Sequence, residues 1–146
     1  MKAYIFIGAG ILLLLYMFYY RSHPLVSKVR IGNHIIEVDV AVTVFEQAKG
    51  LGGRESLKNN HGMLFLYDHK EQFNFWMLAM KFPLDFVWID GKTIVDITKG
   101  VPPPHGLEKP IIVKPAYPVD KILEINAGEI DRLGIKVGDS VEYLDR

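Results

Sequence analysis

Arg54 and Asp85 are the charges best placed to do chemistry, because each lies beside an apolar run. Around Asp85 the residues alternate: Asp85, Val87 and Ile89 share one strand face, while Leu84, Phe86 and Trp88 fill the other. A carboxylate on a strand that is apolar on both faces must be paired or hydrogen-bonded, since bare burial is costly. Two arrangements satisfy that demand. In one, Arg54 grips a ligand carboxylate or phosphate through two parallel hydrogen bonds and Asp85 orients it. In the other, Arg54 and Asp85 form an internal ion pair that fixes a helix against a sheet.

Asn74, Trp76 and Leu78 fall on one side of a short apolar run, with Phe73, Phe75 and Met77 on the other. A tryptophan beside an amide suits stacking on a sugar or an extended peptide, and it suits the edge of a core equally. Phe73, Phe75, Met77 and Met80 would pack a core or line an adaptable apolar cleft. The candidate ligand-binding residues are therefore Arg54, Asn74, Trp76 and Asp85, and no catalytic residue is assigned. Asp85 could alternatively act as an acid or base on cell-envelope saccharides. Glycoside hydrolysis needs two flanking carboxylates, and only Glu124 offers a distant second.

Other chemistries lack their signatures. The histidines at 23, 34, 61, 69 and 105 show no metal-ligand spacing, so no metal site is expected. No nucleophile elbow, phosphate loop or dinucleotide fingerprint is present, and no cofactor is expected. With no cysteine, disulfides, thiolate metal sites and cysteine nucleophiles are excluded. Lys and Arg total 17, as do Asp and Glu. Lys2 and Arg21 lie in an acid-free N-terminus, so the rest carries two more acids than bases. Such a domain has little electrostatic reason to bind nucleic acid.

Residues 3–20 carry no charge and centre on five consecutive aliphatics, Ile11 to Leu15. As a helix this stretch would span about 27 Å, close to the thickness of a bilayer core. Tyr16, Tyr19 and Tyr20 gather at its end, where aromatic rings favour the membrane interface. It lacks the polar stripe of a core helix and the small-x-small site of a cleaved signal. A retained anchor is expected, contacting the lipid bilayer through residues 3–20. A short N-terminus before such a stretch has the form of an uncleaved export signal. The expected location is the cell membrane, single-pass, with the domain extracytoplasmic.

The remaining chain of this 146-residue protein fits one domain. Strands are predicted over 29–31 and 34–42, joined by a Gly32-Asn33 turn. Thr43 and Glu46 have the spacing of a capping box, and Gly50, Gly52 and Gly53 end the short helix it opens. Further strands are predicted over 63–67, 73–78, 84–89, 92–98, 121–125 and 140–144, with Asp90-Gly91 as a hairpin turn and a helical turn over 128–133. Residues 100–118 hold six of the eight prolines and are read as a long irregular loop.

The chain also resembles a known family, domain of unknown function 192, over residues 43–144. The resemblance rests on Gly50-Leu51-Gly52-Gly53-Arg54, Gly62-Met63-Leu64-Phe65, Phe75-Trp76-Met77, Pro83-Leu84-Asp85, the run from Ile122 to Gly128, and Gly138-Asp139. It implies a small secreted or membrane-anchored domain of compact β-rich fold and brings no established activity. Where members carry Lys after the Trp-Met pair, followed by Asn-Thr or Gly-Met, this chain has Leu78-Ala79-Met80. An anion held by that lysine elsewhere cannot be held from position 78.

The expected fold is α+β: a mostly antiparallel sheet or small barrel with one or two short helices, preceded by one transmembrane helix. Its parts are an anchor over 1–21, a linker over 22–28 and a single β-rich domain over 29–146. The expected role is a binding or accessory module whose cleft, around Arg54, Trp76 and Asp85, is covered by the proline-rich loop. The ligand would be a small molecule, a saccharide or a protein. A cell-envelope enzyme using Asp85, or an interaction domain without a small ligand, are the alternatives.

Overall fold

The computed structural model describes residues 26–145. The expected anchor over 3–20 and the first part of the expected linker lie outside the described residues. No helix among those described is long and apolar enough to cross a membrane.

Among the described residues, nine strands and two short helices follow in the order β1 (Val26–Ile31), β2 (His34–Ala41), α1 (Val44–Lys49), β3 (His61–Glu71), β4 (Phe75–Trp76), β5 (Leu84–Asp90), β6 (Thr93–Val101), β7 (Ile112–Val113), β8 (Val119–Asn126), α2 (Glu129–Leu133) and β9 (Val141–Asp145). Seven of the strands form one sheet in the order β6-β5-β8-β3-β2-β1-β9, and β4 pairs with β7. Every neighbour is antiparallel except β2 and β3, whose parallel pairing requires the crossover that α1 supplies. The sheet curls until its ends meet. Thr93 bridges Ser140, and the amides of Ile94 and Val141 donate to the carbonyls of Asp139 and Lys92. The result is a partly closed barrel, whose two edge strands meet at one corner.

Alternation along the strands then builds two cores. Val29, Ile36, Leu64, Val87, Leu123 and Val141 point into the barrel, where Ile130 and Leu133 of α2 close one end. The outer face of β3, β8 and β5 carries Phe65, Ile122, Phe86 and Trp88, and these are covered by Leu51, Met77 and Met80 from loops. Trp88 is fully buried and donates its indole N–H to Thr98 at 2.9 Å.

Several boundaries differ from expectation. β1 begins at Val26, inside the expected linker, because Val26 and Lys28 already pair with Asp145 and Leu144. The Gly32-Asn33 turn forms as expected between Ile31 and His34. The second hairpin turns one residue later than expected: Asp90 still pairs with Thr93, and Gly91 takes φ +62° in a Gly91-Lys92 turn. The strand expected over 73–78 shrinks to two residues. The proline-rich segment is not wholly irregular either, since β7 within it pairs Val113 with Phe75 and Ile112 with Trp76.

Candidate functional site

The site is built around α1 and the glycine turn that ends it. Thr43 accepts the Glu46 amide on its hydroxyl, while Glu46 Oε2 accepts the amides of Val42 and Thr43, so the capping box forms as its spacing implies. Gly50 then adopts φ +50°, ψ −139°, a conformation open only to glycine. The chain turns Leu51 inward and passes close under residues 77–80. A Cβ on Gly52 would lie 2.9 Å from the Lys49 carbonyl oxygen and 3.2 Å from that of Leu78, so no side chain fits there. The Gly53 amide donates to the Ala79 carbonyl at 2.9 Å, which laces the two loops together. Ala79 is held at φ +57°, a left-handed conformation in which its Cβ is strained.

Between these loops and the outer sheet face lies a cleft of about 250 Å³. Its walls are largely apolar and aromatic: Phe65, Tyr67, Phe75, Trp76, Leu78 and Met80. Phe65 and Phe75 meet edge to face at 4.8 Å, fixing one wall. Gln47, Lys49, Asn74 and Glu124 are the polar groups that reach the cleft.

Glu124 is the unusual one. It stands in the middle of β8 opposite Phe86 on one side and Met63 on the other. Its side chain is buried, and its Oε2 has no hydrogen-bond partner among the described residues. Burial pushes its carboxyl up to about 8, and the positive charge of Arg54 offsets only part of that rise. At neutral pH Glu124 is therefore mostly a neutral acid. A Cβ on Gly50 would lie 3.8 Å from Oε2, so the bare glycine leaves the approach to the carboxyl open. Tyr67 is pushed up to about 12 by burial and secondly by the Glu124 charge.

The residues singled out in the sequence divide. Asn74 and Trp76 line the cleft together, and Trp76 is about half exposed at its mouth. Arg54 is not part of the lining; its Nη1 pairs with Asp39 Oδ2 at 2.8 Å on the surface, close enough to Glu124 to influence it. The expected Arg54–Asp85 pairing is corrected. Asp85 lies on the barrel side of β5, fully buried, with Oδ1 accepting the Gly100 amide at 2.8 Å and Oδ2 those of Gly128 and Ile130 at 2.9 and 3.0 Å. Gly128 has no side chain to cap α2, and the carboxylate of Asp85 takes over that task from a neighbouring strand. Asp85 cannot reach the cleft or Arg54, because alternation points it to the opposite face from Glu124 and Phe86.

The proline-rich segment does not cover the cleft. No residue of 100–118 lines it, and β7 instead backs β4 beside Trp76. Among the described residues, no group of three or more His, Asp or Glu comes together in a way that could hold a metal ion. Sequence reasoning set Glu124 aside as a distant second. The signal that finds it is the one that found Asp85: a carboxylate inside an apolar strand, here alternating with Ile122.

Residues 27–143 match the family DUF192, described as "Uncharacterized ACR". A crystal structure of a protein of unknown function from Novosphingobium aromaticivorans is similar, at 33% identity and a TM-score of 0.73, covering 83% of this chain and 90% of that one. A second crystal structure, of a "putative transcription regulator" from Sinorhizobium meliloti, is similar at 32% identity and a TM-score of 0.72, covering 80% and 92%. No curated protein matches.

Proposed function

The chain belongs to the DUF192 family, and from that premise we propose that it is a membrane-tethered binding module on the outer face of the cell membrane. Its cleft takes a small molecule with a flat apolar body and one uncharged polar head. The observation that carries this reading is the unpartnered, buried Oε2 of Glu124 on the cleft floor. A buried polar atom without a partner costs about 1–3 kcal/mol, and a ligand that supplies the missing hydrogen bond recovers it. A neutral carboxyl donates one hydrogen bond and accepts another, which matches a carboxamide or a hydroxyl. The half-exposed Trp76 and the Asn74 amide at the mouth suit stacking on such a ligand, a sugar ring included. The charge-free stretch at 3–20 supports the tether.

An enzymatic reading has one observation in its favour, the carboxyl raised to about 8, where an acid–base catalyst is useful. The cleft offers no second carboxylate, so two-carboxylate glycoside hydrolysis lacks a partner. Asp85 cannot serve, since its oxygens are taken by backbone amides. The regulator description of the Sinorhizobium protein would imply nucleic acid, for which this balanced chain has no basic run.

Titrating the full-length protein with benzamide, benzyl alcohol and benzylamine at several pH values tests the proposal. The two neutral-headed probes should bind at pH 6.5 and weaken above pH 8, as Glu124 loses the proton it donates. Glu124→Gln should retain their binding at both pH values, and Glu124→Leu should lose it. Preference for benzylamine that strengthens through pH 8 would replace the neutral head by a cation. Binding indifferent to all changes at Glu124 would sink the proposal.

A further inference from the structure

We infer that the apolar rim of the cleft docks onto the surface of the lipid bilayer, so that the cleft opens at the lipid–water boundary. This rests on the tethered reading above. The rim exposes more large apolar side chain than a wet surface calls for. Val44 and Phe45, consecutive in the first turn of α1, are 81% and 89% exposed. Trp76 and Leu78 are each 52% exposed, and both line the cleft with Val44. Ile112, at 63%, stands opposite Trp76 in the β4–β7 pair and extends the patch. Single exposed apolar residues need no explanation, but a contiguous set around a cleft marks an interaction surface.

The end of the sheet at which β1 begins identifies the occupant. β1 runs antiparallel to β2, so the chain enters the sheet at Val26 on the end where β2 leaves it at Ala41. After Val42 and Thr43, α1 begins with Val44 and Phe45. Tether and patch thus share one end of the domain, and strands β1 to β3 are separated by about 5 Å each. Only residues 21–25 stand between the charge-free stretch and Val26. Five residues reach at most about 17 Å, which keeps this end of the domain against the membrane. Lys49 at the cleft adds a cation with a long apolar stem, suited to the headgroup layer.

The two tryptophans make the test direct, since Trp76 lies in the rim and Trp88 is fully buried. The full-length chain is reconstituted into phosphatidylcholine vesicles with and without bromine-labelled acyl chains. Flotation is scored first, and tryptophan emission is then read. Docking predicts that brominated lipid quenches the Trp76 emission, and that Trp76→Phe removes this quenching. The Val44→Ser, Phe45→Ser double variant should float normally and lose the quenching. A chain that floats while Trp76 stays unquenched, whether free in water or covered by a second copy, overturns the inference and leaves the tether standing. A chain that does not float overturns both. Quenching that appears only when anionic lipid is added would also overturn it, because charge would then hold the domain rather than the apolar rim.

Discussion

Asp85 and Glu124 occupy neighbouring strands of one sheet, one residue out of register, and point to opposite faces. Both are buried carboxylates in apolar surroundings. Asp85 accepts three backbone amides and closes the start of α2, so its burial is fully compensated. Glu124 leaves an oxygen unpartnered and holds its proton up to about 8. The difference separates two uses of a buried charge. The first completes a scaffold. The second keeps a liability facing a cleft, and such uncompensated groups concentrate where proteins bind or react.

The comparison breaks if the two residues respond alike to substitution. Asp85→Ala should have the largest effect, because the amides of Gly100, Gly128 and Ile130 all lose their acceptor. At about 1–3 kcal/mol for each orphaned group, the combined loss should be roughly 5 kcal/mol, seen as a fall in the urea midpoint. A loss below about 1 kcal/mol would mean that water or another group replaces the carboxylate with ease.

Glu124→Gln should act in the opposite direction. Folded Glu124 keeps its proton up to about 8, whereas the ordinary value for the unfolded chain is 4.5. Between those values the folded state binds the extra proton, so wild-type stability falls as pH rises through this window and levels off above it. Glutamine has no such proton and removes the slope. The variant should match the wild type near pH 4.5 and exceed it by about 4 kcal/mol at pH 8, because each tenfold change in proton affinity is worth about 1.4 kcal/mol. Denaturation curves across that range measure it.

Much of the frame was legible in the sequence for local reasons. The Thr43–Glu46 capping box and the Gly32-Asn33 turn depend on residues close in the chain, and both formed. The family blocks pointed to the right family because several ordered motifs occurred together. The site was less legible because its logic is non-local. Asp85 was sensed as needing a partner, and a side chain of opposite charge was the visible candidate. Its actual partners are amides 15 to 45 residues away, which leave no mark in side-chain identity. Glu124 became prominent only once the sheet register set it between Met63 and Phe86 and the glycine turn left it uncovered. The expected strand over 73–78 failed because Ala79 turns left-handed to meet Gly53, a tertiary demand that alternation does not contain.

That turn sharpens the comparison, since Ala79 holds its strain on the cleft side. Ala79→Gly should relieve the left-handed strain and stabilise the fold by about 1 kcal/mol, read as a higher melting temperature. Arg54→Ala should have the smallest effect on stability. Its pair with Asp39 is largely exposed and worth about 0–1 kcal/mol. The same variant should move the Glu124 titration upward, since it removes a charge that holds it down. A loss of about 3–5 kcal/mol would instead place Arg54 in a buried pair.

The most direct measurement is the titration of Glu124 itself, followed by carboxyl carbon NMR in the full-length protein with Glu124→Gln to assign the signal. The account predicts a midpoint near 8, so that the cleft floor carries a neutral acid at pH 7. A midpoint near the ordinary 4.5 would show a solvated, compensated carboxylate and remove the basis for a ligand-facing group in this cleft.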